Sequence, residues 1–395
     1  MFRRIAKIVL ILIGLTLVVA FCPSVSVEIA KAEEIESVES TVSDSVKDQL
    51  DALDLEKLQE YVDSLSGGQG GDVGERILRY INGEVFDYGD FFTQIGEVLF
   101  KKVRDLFPAF ACIAAITLLC GIISSLSGQF VEKTTGQTVL FVAYASTLIP
   151  VLSILIECFS CTKETIGSLQ TQMQAVFPIL LTLMASSGGT VSVAIFQPTV
   201  AFLSNVILSV ISGVVLPITM TITAFSLAGH LTKTVRLSRF VAFFKSINKW
   251  IIGVCVSVFG LFFTVQGITS ASFDGVAKKV TQYAVGTGVP IVGGFLSGGF
   301  DLAVAGSVLI KNSLGSMSLF LMVSVLFEPI ILLVAVNLLL RLTAAITQPF
   351  GEERISNFLT ETADNLNFCT ACVLVCAFLY FVCIVLFVCS AEVFV

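Results

Sequence analysis

The chain has 395 residues, of which 55% are hydrophobic and only 13% charged, with a formal net charge of −7. Soluble domains carry about 25% charged residues, so this composition excludes a chain made of soluble domains. The acidity is local, since residues 33–104 balance to −10 and residues 105–395 to zero, and nothing offers the basic face that nucleic acid requires.

Arg3, Arg4 and Lys7 precede an apolar run, Ile8–Phe21, and Ala30-Lys31-Ala32 forms an A-x-A site before Glu33. That layout predicts a secretory signal over 1–32, with an uncleaved anchor as the alternative, and either way the next segment is exported. Residues 33–104 then read as an exported acidic helical segment. Val46, Leu50, Leu53, Leu58, Val62 and Leu65 recur at helical spacing, Ser66–Gly71 forms a linker, and Ile77, Leu78 and Ile81 open a second helical region. The apolar stripes of so small a unit suit docking on a partner or on a membrane surface.

Residues 105–395 form a multi-span membrane domain. Residues 106–131, 134–156, 165–232, 250–273, 280–300 and 365–391 contain no Asp, Glu, Lys or Arg, and a bilayer core takes about 20 helical residues. The expected spans are 106–127, 138–158, 174–195, 199–228, 250–272, 284–310, 317–340 and 368–390, with a further pass or re-entrant hairpin within 165–232. The predicted fold is therefore an all-α polytopic helical membrane protein of about eight to nine spans. Lys233, Arg236, Arg239, Lys245 and Lys249 form the densest basic cluster, read as a helix on the cytoplasmic membrane surface. With 33–104 outside, that placement requires an odd number of crossings before the cluster. Residues between Arg341 and Asn367 read as a second interfacial helix.

The segment 284–315 is apolar enough for a bilayer, yet eight of its residues are glycine. Glycine costs about 1 kcal/mol against alanine inside a helix, so the cluster needs a reason. Gly293, Gly294, Gly298 and Gly299 make a small-residue groove for close helix approach, or the stretch is a broken element beside a polar pathway. Asp301, Lys311 and Glu328 are the charges carried by this part of the chain. A charged group at membrane depth costs about 2.5–3.5 kcal/mol on the insertion scale and is expected to face a bundle interior or water.

Catalytic and metal signatures are missing from the sequence. The single histidine, His230, excludes a two-histidine metal site, and no Walker A loop, H-E-x-x-H or G-x-S-x-G occurs. Cys369-Thr-Ala-Cys372 and Cys158-Phe-Ser-Cys161 match C-x-x-C formally, but both lie in apolar helices and read as small packing residues. No cofactor, catalytic residue or metal site is expected.

The run VPIVGGFLSGGFD followed by SVLIKNSLG, after a signal and an acidic segment containing QLDALDLEKLQEYVDSL, resembles the stage III sporulation protein AE family of endospore-forming bacteria. The resemblance implies a non-enzymatic structural component of the channel-like apparatus joining mother cell and forespore, in the mother-cell membrane around the forespore. It also implies the other stage III sporulation A membrane proteins and the forespore protein Q as partners; separately from the resemblance, the lipid bilayer and a second copy of the chain are expected contacts. The alternative is a stand-alone secondary transporter using Asp301, Lys311 and Glu328 as coupling groups.

Overall fold

The computed structural model describes residues 49–50, 53, 55–66, 72–81, 100–119, 122, 133–187, 193, 203–231, 237–262, 293–349 and 353–389. The signal, linker residues 67–71, Lys233 and Arg236 lie outside these. Described residues in regular structure are all helical: α1 (Glu56–Ser66), α2 (Val73–Ile81), α3 (100–119), α4 (Lys133–Ser186), α5 (203–231), α6 (Ser238–Phe262), α7 (Gly293–Thr347) and α8 (Glu353–Cys389).

Among the described residues, five helices are long and apolar enough to cross a membrane: Tyr144–Ser186, Leu203–His230, Ser238–Phe262, Gly306–Thr347 and Ile355–Val388. Several expected spans merge. From Gly293 on, the span expected at 284–310 shares with that at 317–340 one 55-residue helix, α7, which contains Pro329; residues 284–292 lie outside the described residues. The span at 138–158 and the start of 174–195 likewise belong to one 54-residue helix, α4, with Pro150 and Pro178 inside it. The expected surface helices are also continuous with their neighbouring spans, in α6 and in α8. The cause is physical: Glu157, Lys163 and Glu164 or Lys245 and Lys249 occupy helix faces, and a charge on one face does not interrupt the backbone ladder. At 1.5 Å per residue α7 is about 80 Å long, well beyond the ~30 Å hydrocarbon core of a bilayer.

Helix α8 is the centre of the bundle, packed by α4, α5 and α7. Its buried residues Cys369, Cys372, Cys376, Tyr380, Cys383 and Phe387 step by three and four, so they form one seam. Four of the six are cysteine, a small side chain that lets neighbouring helices approach. From α4, Phe177 stacks on Tyr380 with ring centroids 5.7 Å apart and meets Phe387 edge-on at 5.2 Å. At the opposite end Tyr144 of α4 meets Phe358 of α8 edge-on at 5.3 Å. Helices α4 and α8 thus run parallel, whereas α7 and α8 form an antiparallel hairpin.

Helix α5 contains a π-helical turn, Ile211–Val215, flanked by helical backbone on both sides. Before it, Asn205 Oδ1 accepts from Gln170 Nε2 (2.9 Å) and Gln174 Nε2 (3.2 Å) of α4. Beyond it, Thr219 Oγ1 accepts from Asn248 Nδ2 of α6 at 2.8 Å, and Phe225 stacks on Phe244.

The acidic segment does not stand apart. Asp72 caps α2, its carboxylate accepting the Glu75 N–H at 3.3 Å, and Gln59 of α1 accepts the Val73 N–H at 2.8 Å. Leu58, Val62, Val73 and Ile77 are buried, α1 against α4 and α2 against α7. The stripes expected to dock on a partner or a membrane surface therefore dock on the chain's own long helices. Burial also pushes the Tyr61 phenol well above its usual range.

Candidate functional site

The glycines singled out by the sequence lie in the first turns of α7. Gly293, Gly294, Gly298, Gly299 and Asp301 have helical backbone, so no break falls within this part of the stretch. Its later residues carry resolved contacts. Lys311 is fully buried, and its Nζ donates to the Val388 carbonyl at 2.7 Å. Val388 is in the last turn of α8, where the final carbonyls have no intrahelical partner and the helix dipole is negative. Lys311 therefore reaches across the hairpin to cap its neighbour. One turn further along α7, a Cβ on Gly315 would collide with the Val388 side chain. Gly315 is the residue at which close approach of α7 and α8 demands glycine, and the sequence pattern did not single it out for that role.

Gly306 meets the acidic segment. A Cβ there would sit 3.0 Å from Gln49 Nε2, and Ser307 Oγ donates to Gln49 Oε1 at 3.0 Å. The sequence reading missed this contact because Gln49 and Ser307 are separated by most of the chain. About three turns further along α7, Gln172 of α4 donates from Nε2 to the Ser318 carbonyl at 3.0 Å in a buried position.

Glu328 lies on the exposed side of α7. Its carboxylate receives Lys102 Nζ of α3 at 2.8 Å, with side-chain exposures of 64% and 30% respectively. The pair lies on the flank of the bundle, not in its interior. The Glu328 hydrogen bond is the main influence holding the Lys102 ammonium above its ordinary pKa, partly opposed by desolvation. Glu328 and Lys311 each have a partner of their own.

A polar layer forms where α5, α7 and α8 meet. Arg341 donates from Nη2 to Asp364 Oδ1 at 2.6 Å and from Nε to Asn337 Oδ1 at 2.9 Å. Asn337 Nδ2 in turn donates to the Ala363 carbonyl at 2.6 Å. Asn365 Nδ2 donates to Ser226 Oγ at 3.2 Å, while His230 Nε2 lies 3.7 Å from Glu361 Oε2. Asp364 belongs to the polar side of the helix expected between Arg341 and Asn367 and Asn337 to an apolar run, but which residues of the neighbouring helices they meet is not written in either pattern.

Of the basic cluster, Arg239, Lys245 and Lys249 are in α6, which turns Val241, Asn248, Ile252 and Phe259 inward. Phe240, Phe243, Trp250 and Leu261 of the same helix face outward. No group of three or more His, Cys, Asp or Glu among the described residues is placed to hold a metal ion. These contacts join helices to one another and to the acidic segment, and their chemistry is that of an assembled bundle.

The family model described as stage III sporulation protein AE matches residues 72–391. The stage III sporulation protein AE of Bacillus subtilis (strain 168) is 23% identical over 355 residues, covering 89% of this chain and 89% of that protein. No solved structure matches. A match spanning α2 to the end of α8, on a chain with five membrane-length apolar helices, establishes that this protein belongs to the stage III sporulation protein AE family and has a role in sporulation.

Proposed function

We propose that the protein is a structural subunit of a channel-like or secretion-like complex between mother cell and forespore, resident in the mother-cell membrane around the forespore. The family match over residues 72–391 is the observation that carries this reading. The other stage III sporulation A membrane proteins and the forespore protein Q are its proposed partners. Gly293, Gly294, Gly298 and Gly299, in the first turns of α7, are the proposed seam for assembly or passage, and Asp301 adds a charge to it. Arg239, Lys245 and Lys249, together with Lys233 and Arg236, form the proposed cytoplasmic basic surface.

The proposed topology starts from an exported acidic segment. The span expected at 106–127, whose described part belongs to α3, would with α4 and α5 make three crossings before the basic cluster, the odd number that a cytoplasmic cluster requires. Only one of them, α5, belongs wholly to the charge-free stretch 165–232, because α4 absorbs its beginning. The transporter alternative loses support from the contacts of its candidate groups. Lys311 caps α8 and Glu328 pairs with Lys102, both of which are structural uses.

Affinity purification from sporulating cells, with identification of the co-purifying membrane proteins, tests the proposal. Recovery of the stage III sporulation A proteins supports a subunit role. Purification of the chain alone, together with transport by reconstituted vesicles that is lost in Glu328→Gln, would replace it with the carrier reading.

A further inference from the structure

Between α4 and α5 the surface opens into a cleft of about 370 Å³, within the 300–1,000 Å³ range of small-molecule sites. Leu155 and Phe159 of α4 and Met220 and Leu227 of α5 form its walls. Both helices are long and apolar enough to cross a membrane, and the apolar walls of the cleft suit a hydrocarbon chain. The hydroxyls in the lining are already engaged. Ser160 Oγ donates to Glu164 Oε1 at 3.0 Å, and Thr223 Oγ1 donates to the Thr219 carbonyl at 2.9 Å. Lys163 also lines the cleft, is exposed, and has no hydrogen-bond or ion-pair partner among the described residues.

We propose that this cleft binds an anionic phospholipid, one acyl chain lying along Leu155, Phe159, Met220 and Leu227 and the phosphate resting on Lys163. The apolar walls select a hydrocarbon chain. A lysine on a membrane helix extends its flexible stem toward the interface and presents its ammonium there, which selects a headgroup of net negative charge over a zwitterionic one. The carboxylate of Glu164 is turned to Ser160, leaving the lysine as the unpaired charge of the lining. Such a lipid would act as a wedge between α4 and α5, filling space that no side chain fills. This inference extends to a lipid ligand and does not depend on the proposed complex.

The test uses the full-length chain, delipidated in a neutral detergent and titrated with dioleoyl phosphatidylglycerol or dioleoyl phosphatidylcholine. Retained lipid is counted by native mass spectrometry, and the thermal unfolding midpoint is followed in parallel. Phosphatidylglycerol is expected to be retained in preference and to raise the midpoint. Lys163→Gln should weaken phosphatidylglycerol about fivefold, the value of one lysine near an anionic headgroup, and leave phosphatidylcholine unchanged. Met220→Trp, at a partly exposed wall position, should fill the cleft and reduce retention of both lipids while the helical circular dichroism is preserved. Equal retention of the two lipids by the wild type, or a phosphatidylglycerol preference that survives Lys163→Gln, overturns the proposal. So does retention unaffected by Met220→Trp, as it would be if a helix of another subunit, not lipid, occupied the cleft.

Discussion

Lys311 of α7 donates its ammonium to the carbonyl of Val388 in the last turn of α8, across 77 positions of sequence. A buried lysine is costly unless its charge is met by hydrogen bonds, and the end of a helix offers aligned carbonyls carrying partial negative charge. Lys311→Met keeps the length and removes the charge. It should lower the stability of the detergent-solubilised protein by about 1–3 kcal/mol, the cost of leaving a buried polar group without its partner. The thermal unfolding midpoint reports this, and an unchanged midpoint would mean that the contact has no energetic weight.

Gly315 and Gly260 make a matched pair of substitutions. A methyl at Gly315 meets Val388, whereas one at Gly260 meets nothing within 4 Å. Gly315→Ala should therefore destabilise by about 1–3 kcal/mol through overpacking. Gly260→Ala should be neutral, or stabilising by up to about 1 kcal/mol from helix propensity. Comparable midpoints for the two variants would remove close approach as the reason for Gly315.

For the Lys102–Glu328 pair, the informative experiment is a charge exchange. Lys102→Glu alone places two carboxylates together and should lower the midpoint, while the double variant Lys102→Glu, Glu328→Lys should recover most of the loss. Exposed pairs contribute about 0–1 kcal/mol in water, so the single-variant effect should be modest. Because the folded state raises the Lys102 pKa, the stabilisation is complete below the unfolded lysine value and is lost as pH rises through the folded one. Stability should consequently be insensitive to this lysine at neutral pH and decline only in strongly alkaline solution. A double variant no better than the single would show that the pair does not position α3.

Sidedness can be read with reporter fusions. Residues 40–100 should report an external location and residue 240 a cytoplasmic one, with the mature chain beginning at Glu33 after cleavage behind Ala32. An external signal at residue 240 would contradict three alternating crossings by α3, α4 and α5. Terminal sequencing that finds residues before Glu33 would make Ile8–Phe21 a permanent anchor.

At Gly294 or Gly298, leucine should leave membrane insertion intact and disrupt assembly, because it adds volume while raising hydrophobicity. Membrane fractionation gives the level of the protein, and co-purification gives its assembly state. Normal sporulation with both leucines present would show that these positions form neither a seam nor a passage.

The helical class and the apolar stretches were legible from charge distribution alone, and Lys311 and Glu328 were legible as polar residues in apolar surroundings. Helix continuity was not. The span expected at 138–158 stops beside Glu157, yet Glu157, Lys163 and Glu164 all lie within α4, because a long helix carries charges on one face without breaking. Gly306 and Gly315 could not be ranked above the other glycines, since what distinguishes them is Gln49 and Val388, residues distant in sequence. The polar layer of Asn337, Arg341 and Asp364 depends on antiparallel register between α7 and α8, which composition does not encode.

The π-turn at Ile211–Val215 gives α5 a change of phase. An α-helix advances about 100° per residue, so one additional residue rotates everything beyond it by that amount relative to an uninterrupted helix. The first half of α5 can therefore present Asn205 to α4 while the second half presents Thr219 to α6 and Ser226 to α8. Removing a single residue from the turn would leave a regular helix of nearly the same length and hydrophobicity. It would nonetheless put the two halves out of alignment, so that either the Asn205 contacts or the Thr219 and Ser226 contacts could form, but not both.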